Sequence, residues 1–171
     1  MNSSLNPIVD KPYPEINVFE KNPAFAYKLL EVYAGEVSEF SAVGQYSFQS
    51  IFLNEYKELS KILEDISITE MRHVEILGKL IKALGLIPYY VVYENQKAIP
   101  WNIDYINFTT NYRDMLVSNI EKEKISINKY SQLISETNDQ NIKSILNRII
   151  LDEKKHIEVL SRLLNQYDED Q

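Results

Sequence analysis

The sequence contains no cysteine, only two histidines and no long uninterrupted run of apolar residues. The absence of cysteine excludes disulfides, thiolate metal sites and a cysteine nucleophile. The absence of a long apolar run predicts that no helix spans a membrane, because such a helix needs about 20 apolar residues. We therefore expect no membrane partner, and any nitrogen ligand for a metal has to come from the two histidines.

Basic residues are also scarce. Lysine and arginine number 18 against 25 aspartates and glutamates, which gives a net charge of −7, and no basic cluster is present. This balance argues against a nucleic-acid partner. The N-terminus has no basic start followed by an apolar run, so we expect no signal peptide and a cytoplasmic location.

Both histidines stand three residues after a glutamate. Glu70 precedes His73, and Glu153 precedes His156. Residues three apart in a helix share a face, so a carboxylate and an imidazole at this spacing can bind one metal ion together. If glutamate fills about a tenth of all positions, both histidines would follow one by chance only about once in a hundred sequences. The two pairs predict two metal ions.

The histidine pairs belong to a longer internal repeat. The segment 62–81, ILEDISITEMRHVEILGKLI, matches the segment 145–164, ILNRIILDEKKHIEVLSRLL. Upstream of each segment, a glutamate is followed seven residues later by a tyrosine. These upstream pairs are Glu39 with Tyr46 and Glu123 with Tyr130. The repeat predicts one helix pair that is used twice.

Apolar spacing and turn residues predict four long helices in a single domain of residues 22–167. Residues 1–21, which contain three prolines, are predicted to form an extended surface arm. The helices are predicted at about 22–52, 55–84, 105–135 and 139–166. Short connections within each pair and a long crossover between the second and third helices predict an all-α four-helix bundle. We expect no sheet, because the β-like run YYVVY at 89–93 would have no partner strand.

This set of motifs resembles the ferritin-like superfamily, in particular the dimetal carboxylate domains of the rubrerythrin and bacterioferritin types. The resemblance covers residues of about 23–166. It implies a ferritin-like four-helix bundle in which two helices each supply one glutamate and the other two each supply a Glu-x-x-His pair. The implied metal ligands are Glu39, Glu70, His73, Glu123, Glu153 and His156. Two divalent cations would balance the charge of the four carboxylates.

Each ligand assignment has an alternative. A Glu-x-x-His pair on a helix is often only a surface hydrogen bond, but apolar residues at helical spacing around both pairs predict that they face the core. Glu36 lies one turn before Glu39 and could replace it or stand at the mouth of the site. We favour Glu39, because its repeat counterpart is Glu123, whereas the counterpart of Glu36 is Ile120.

Three further residues are candidates to orient the metal ligands. Tyr46 and Tyr130 could each donate a hydrogen bond to a ligand carboxylate of the opposite helix pair, or they could simply pack in the core. Asp152 precedes Glu153 and could accept the second ring N–H of His73. The equivalent residue for His156 is Thr69, a weaker acceptor, so the two metal positions could differ.

The resemblance implies an oxidoreductase that acts on hydrogen peroxide, as a non-haem peroxidase or catalase in oxidative stress, or on oxygen. The alternatives are a ferroxidase of iron storage and a metal-free structural bundle. Without cysteine there is no rubredoxin domain in this sequence, so a peroxidase would need an external electron donor. Ser126 stands where rubrerythrins commonly carry an additional glutamate.

The resemblance favours iron for the two metal ions, with manganese as the alternative. Met71 follows Glu70 as in the bacterioferritin pattern E-M-x-H, whose methionine binds haem between subunits. We do not favour haem here, because a methionine on the flank of a helix is common. The expected assembly is a homodimer or a larger oligomer.

Overall fold

Helices dominate the structure, a computed structural model that describes residues 5–169. In chain order the elements are α1 (Pro23–Ala34), α2 (Glu39–Phe52), α3 (Lys57–Ala83), β1 (Val91–Glu94), β2 (Lys97–Pro100), a 3₁₀ turn (Ile103–Tyr105), α4 (Tyr112–Ser135) and α5 (Gln140–Glu169). Helices α2 and α3 form one packed hairpin, and α4 and α5 form the other. The predicted all-α four-helix bundle with a long crossover is confirmed. No described helix is long and apolar enough to cross a membrane.

The first bundle helix is interrupted between α1 and α2, so the prediction of one continuous helix over residues 22–52 is wrong. Gly35 has an extended backbone with ψ of −169°. Ser38 then caps the new helix, because its hydroxyl accepts a hydrogen bond from the backbone N–H of Ser41 at 3.3 Å. The break makes Glu39 the first residue of α2, where the helix dipole stabilises an ionised carboxylate.

The crossover between the hairpins contains a small antiparallel sheet, which corrects the expectation that residues 89–93 would have no partner. Strand β1 pairs with β2 from Val91 opposite Pro100 to Glu94 opposite Lys97. Asn95 and Gln96 make the turn with φ of 49° and 65°, as two-residue hairpin loops require. The pairing was missed because Lys97–Pro100 carries no alternating apolar pattern.

Helix α4 begins at Tyr112, not near residue 105 as predicted. Side chains bond the backbone before that point, and such bonds compete with helix formation. The Asn107 side chain accepts from the N–H of Thr109 at 3.0 Å. The Asn111 side chain accepts from the N–H of Asp114 at 3.0 Å and caps the helix. The crossover is therefore several residues longer than expected.

The core consists of two apolar clusters separated along the bundle. One contains Leu77, Leu80 and Ile149 among its buried members. The other contains Ile66 and Leu160. These five side chains are fully buried, and burial of this kind is the main source of bundle stability. On both α3 and α5, the Glu-x-x-His pair lies between the two clusters.

The described part of the arm, residues 5–21, runs without helix or strand. Two hydrogen bonds attach it to Asn141 of α5. The Asn141 side chain donates to the backbone carbonyl of Glu15 and accepts from the backbone N–H of Asn17. Residues 1–4 of the predicted arm lie outside the described residues. The division into an arm of 1–21 and a domain of 22–167 stays a prediction.

Candidate metal centre

Four bundle helices bring together all six residues that the sequence proposes as metal ligands. Helix α2 supplies Glu39, α3 supplies Glu70 and His73, α4 supplies Glu123, and α5 supplies Glu153 and His156. None of the six is more than 4% exposed. The helical repeat explains the placement, because residues three apart on α3 and on α5 point to the same side. Glu36 is exposed and is not one of the six.

The six side chains form two overlapping groups. Glu39 and His73 share one group with Glu70 and Glu153, and Glu123 and His156 share the other with the same two glutamates. Within each group, one ligand atom from every residue lies within 4.8 Å of the others. Ligand atoms that contact one cation at about 2.0–2.2 Å need to be about this close. Glu70 and Glu153 belong to both groups, so each offers a carboxylate oxygen to either group.

Both histidines turn the same ring nitrogen toward the carboxylates. Nδ1 of His73 lies 3.0 Å from Oε2 of Glu70 and 3.2 Å from Oε1 of Glu153. Nδ1 of His156 lies 3.0 Å from Oε1 of Glu70. The two imidazole ring centres are 6.5 Å apart. These nitrogens are therefore the atoms that face a shared interior point.

Several buried polar atoms of this cluster have no hydrogen-bond partner among the described residues. They are Oε1 of Glu70, Oε1 of Glu153 and both ring nitrogens of His156. The contacts of 3.0 and 3.2 Å that these oxygens make with the histidine nitrogens lack the angles of a hydrogen bond. Buried polar groups are almost always paired, and each unpaired group costs about 1–3 kcal/mol. Metal coordination would satisfy the two carboxylate oxygens and Nδ1. The donor set of four carboxylates and two imidazoles fits two divalent cations.

Protonation compensates part of the charge of the cluster when no metal neutralises it. Burial, together with the neighbouring carboxylates, raises the pKa of Glu70 and of Glu153 well above the ordinary value. Burial acts in the same direction on Glu123, but its hydrogen bonds and the charge of His156 outweigh it and lower the pKa of Glu123 to about 2. The metal-free cluster therefore carries protons that a metal has to displace.

Burial by itself would lower the pKa of both histidines. The opposing charge of Glu39 and the hydrogen bonds that the ring donates to Asp152 and Glu39 raise the pKa of His73 well above its ordinary value. The nearby Glu123 carboxylate raises the pKa of His156. Both shifts favour the doubly protonated imidazole in the metal-free protein, and metal binding requires the loss of that proton.

The two tyrosines cross between the helix pairs. Tyr46 on α2 donates to Oε1 of Glu123 on α4, and Tyr130 on α4 donates to Oε1 of Glu39 on α2. Tyr46 is 3% exposed and Tyr130 is fully buried. Each hydroxyl thus holds one of the two glutamates that the groups do not share, Glu123 in the His156 group and Glu39 in the His73 group.

Asp152 accepts a hydrogen bond from Nε2 of His73 at 3.1 Å. Burial favours the neutral carboxyl group, but hydrogen bonds from His73, Arg148 and Tyr13 lower the pKa of Asp152 to about 2. Asp152 is therefore ionised at neutral pH. Among the described residues, Nε2 of His156 has no such partner, and the Thr69 hydroxyl donates to the backbone carbonyl of Asp65 at 3.0 Å.

Sequence reasoning missed Arg148 and Tyr13. Arg148 is only 3% exposed and bonds Asp152 at 2.5 Å. Its position among the apolar residues of α5 could have identified it, because a charged residue on a buried face needs a partner. The Tyr13 hydroxyl donates to Asp152 at 2.7 Å. No pattern in the proline-containing arm indicated this contact.

A narrow cavity of about 20 Å³ leads toward the cluster. Its lining includes the buried glutamates of the cluster, Ser126, the half-buried Lys122 and the exposed Glu36. The Lys122 ammonium donates to the Gln45 side chain at 2.7 Å and to the Tyr105 carbonyl at 2.9 Å. The cavity has room for about one water-sized molecule. A larger cavity of about 1140 Å³ touches none of the six residues.

Comparison with protein families gives a match to the rubrerythrin family over residues 33–164. A manganese catalase from Bacillus subtilis is 22% identical over 165 residues, which cover 79% of this chain and 60% of that protein. The chain therefore spans less than two thirds of the length of this curated relative.

Solved structures with the same fold include two kinds of ferritin-like protein. KatB, a manganese catalase from Anabaena, superimposes with a TM-score of 0.84 and 27% identity, over 94% of this chain and 80% of that one. The bacterioferritin BfrA from Mycobacterium tuberculosis gives a TM-score of 0.73 and 23% identity, over 88% of this chain and 90% of that one. The ferritin-like bundle predicted from the sequence is confirmed.

Proposed function

Because this chain belongs to the rubrerythrin family, we propose that it is a dimetal-carboxylate oxidoreductase that consumes hydrogen peroxide. The observation that carries the proposal is the buried cluster of four glutamates and two histidines, in two groups that share Glu70 and Glu153. We propose that Glu39 and His73 bind one ion, that Glu123 and His156 bind the other, and that the shared glutamates bridge the two.

We favour the catalase type of reaction, in which two hydrogen peroxide molecules give two water molecules and one oxygen molecule. This reaction needs no external electron donor, because one peroxide is reduced and the other is oxidised. The manganese catalases of Bacillus subtilis and Anabaena support this choice, at 22% and 27% identity. They also favour manganese over the iron that the family resemblance suggests, although the donor set accepts both metals.

When bound, a pair of metal ions that each change oxidation state by one supplies the two-electron capacity that peroxide chemistry needs. The protein contributes the positions of the ligands. Tyr46 and Tyr130 hold Glu123 and Glu39 by hydrogen bonds, and Asp152 holds the ring of His73. Such partners fix the orientation of metal ligands, and the carboxylate behind His73 also raises the basicity of its ring.

The narrow cavity also supports a small neutral substrate. Hydrogen peroxide is neutral and close to water in size, so a cavity with room for about one water-sized molecule can admit it. Lys122 lines this cavity together with Glu36 and the four glutamates of the cluster. Ser126 lines the same cavity and leaves space where a glutamate would occupy it.

A ferroxidase of iron storage is the second candidate, because the bacterioferritin fold superimposes on nearly the same part of the chain. Storage requires a hollow assembly of many subunits, whereas a catalase does not. The metal-free structural bundle is disfavoured by the unpaired buried atoms of Glu70, Glu153 and His156, since a structural core would gain stability by replacing them with apolar residues.

The test is to measure metal content, peroxide consumption and oxygen release on protein purified without chelator. We expect two metal ions per chain, and one oxygen molecule released for every two peroxide molecules consumed. The variant His73→Ala/His156→Ala should lose the metal and the activity, while Glu75→Ala, an exposed glutamate on α3, should keep both. Wild-type protein without metal, or metal retained by the double variant, would refute the proposed ligands.

A further inference from the structure

The N-terminal arm contacts Asp152, the carboxylate that lies behind His73. Tyr13 of the arm bonds Asp152 at 2.7 Å, and Asp152 bonds Nε2 of His73 at 3.1 Å. The ring of Tyr13 also meets the ring of His73 edge-on, with 6.0 Å between the ring centres. The arm therefore reaches the metal centre through a single intervening carboxylate.

Arg148 ties the arm to the same carboxylate. Its guanidinium bonds Asp152 at 2.5 Å and also bonds the backbone carbonyls of Lys11, at 2.7 and 2.9 Å, and of Val9, at 3.1 Å. The guanidinium also stacks over the Tyr13 ring at 4.2 Å. Arg148 and Asp152 are both nearly inaccessible to solvent. Since the arm supplies two carbonyls and one hydroxyl, its removal would leave buried charges short of partners.

The other metal position lacks this support. Nε2 of His156 has no hydrogen-bond partner among the described residues. Thr69, which corresponds to Asp152 in the internal repeat, bonds the backbone of its own helix. A carboxylate behind a metal-binding histidine fixes the ring and strengthens the ligand, and its loss typically lowers metal affinity 10–100-fold.

We propose that Tyr13 and Arg148 are positioning residues that hold Asp152 against His73, so that the His73 position binds its metal ion more tightly than the His156 position does. The inference rests on the proposed dimetal centre and adds the sequence in which the two positions fill. The His73 position fills first, and its affinity depends on the docked arm.

The experiment measures Mn²⁺ binding from the paramagnetic resonance signal of the free ion. It uses two single variants, His156→Ala and His73→Ala, each of which keeps one of the two histidines. Tyr13→Phe removes only the hydroxyl that bonds Asp152. In His156→Ala protein, which keeps the His73 position, Tyr13→Phe should weaken Mn²⁺ binding about 10-fold or more. In His73→Ala protein, the same substitution should change the affinity less than about 2-fold. Tyr56→Phe, at an exposed tyrosine, is the matched control.

A second measurement does not depend on the folding of the histidine variants. Wild-type protein should bind Mn²⁺ in two steps of unequal affinity, and Tyr13→Phe should weaken only the tighter step. Equal weakening of both positions, or of neither, would overturn the inference while leaving the dimetal centre in place. Wild-type protein that binds no metal would overturn the inference together with the proposed function.

Discussion

The hydroxyl of Tyr46 donates a hydrogen bond to Oε1 of Glu123 across the bundle. Tyr130 makes the reciprocal bond to Glu39, so each half of the internal repeat holds a glutamate of the other half. Both tyrosines lie seven residues after their own glutamate, two helical turns along the same face. The duplicated pattern therefore couples the two hairpins at the metal centre as well as through apolar packing.

Removal of the Tyr46 hydroxyl should weaken one metal position. Tyr46→Phe leaves Oε1 of buried Glu123 without its donor and should lower metal affinity at the His156 position about 10–100-fold. The loss should also reduce the free energy of unfolding of the metal-free protein by about 1–3 kcal/mol. Calorimetric metal titration and urea denaturation check the two effects. Unchanged affinity in Tyr46→Phe would show that the hydrogen bond does not position Glu123.

The stabilisation conferred by metal should increase with pH. The folded-state pKa values of Glu70, Glu153 and His73 are raised. Their protons therefore stabilise the metal-free fold fully below the unfolded values, 4.5 for glutamate and 6.5 for histidine. This stabilisation is lost as pH rises through the folded values. Because metal replaces these protons, the metal-bound protein escapes the loss.

The measurement is the melting temperature with saturating Mn²⁺ and with chelator, at about pH 6 and about pH 8. The difference between the two melting temperatures should be larger at the higher pH. Glu39 and Glu123 have lowered pKa values, so their contribution is lost only as pH falls below 4.5, outside this range. A difference that stays constant or shrinks toward alkaline pH would contradict the proton displacement.

Charge reversal at Lys122 should favour ferrous iron over peroxide. Lys122→Glu places a negative charge on the cavity, so the rate of ferrous ion oxidation should rise several-fold at low salt and less at high salt. Peroxide consumption should respond much less to salt, because hydrogen peroxide is neutral. Lys124→Glu is the control, because it makes the same charge change at an exposed position of the same helix. Equal effects of both variants would exclude a specific role of the cavity.

The crossover hairpin offers a stabilising substitution far from the metal ligands. Gln96 has a φ of 65°, a conformation that costs a residue with a side chain about 1–2 kcal/mol relative to glycine. Gln96→Gly should raise the free energy of unfolding by up to about 1 kcal/mol. Lys97→Gly, in the adjoining strand β2, should lower it. Urea denaturation measures both, and a destabilised Gln96→Gly would contradict the turn geometry.

Prediction from sequence worked best where local geometry sufficed. The end of α3, predicted at about residue 84 and found at Ala83, is an example. Gly85 takes a φ of 99° and Leu86 bonds back to the carbonyl of Ile81 at 3.1 Å, a geometry that glycine favours after a helix. It failed where local bonds compete with helix formation, at Gly35 and again at Asn107. Strand β2 was not predicted, because its own residues carry no strand pattern. Its pairing depends on the turn at Asn95 and Gln96 and on the neighbouring strand β1.

The sequence by itself determined the four helices and the spacing of the six proposed ligands, because helical periodicity sets which residues share a face. Only the tertiary structure decided which atoms of those residues face each other and what supports them. Tyr13 and Asp152 are 139 residues apart. Their contact depends on how the arm docks against α5, and periodicity within a single helix carries no information about it.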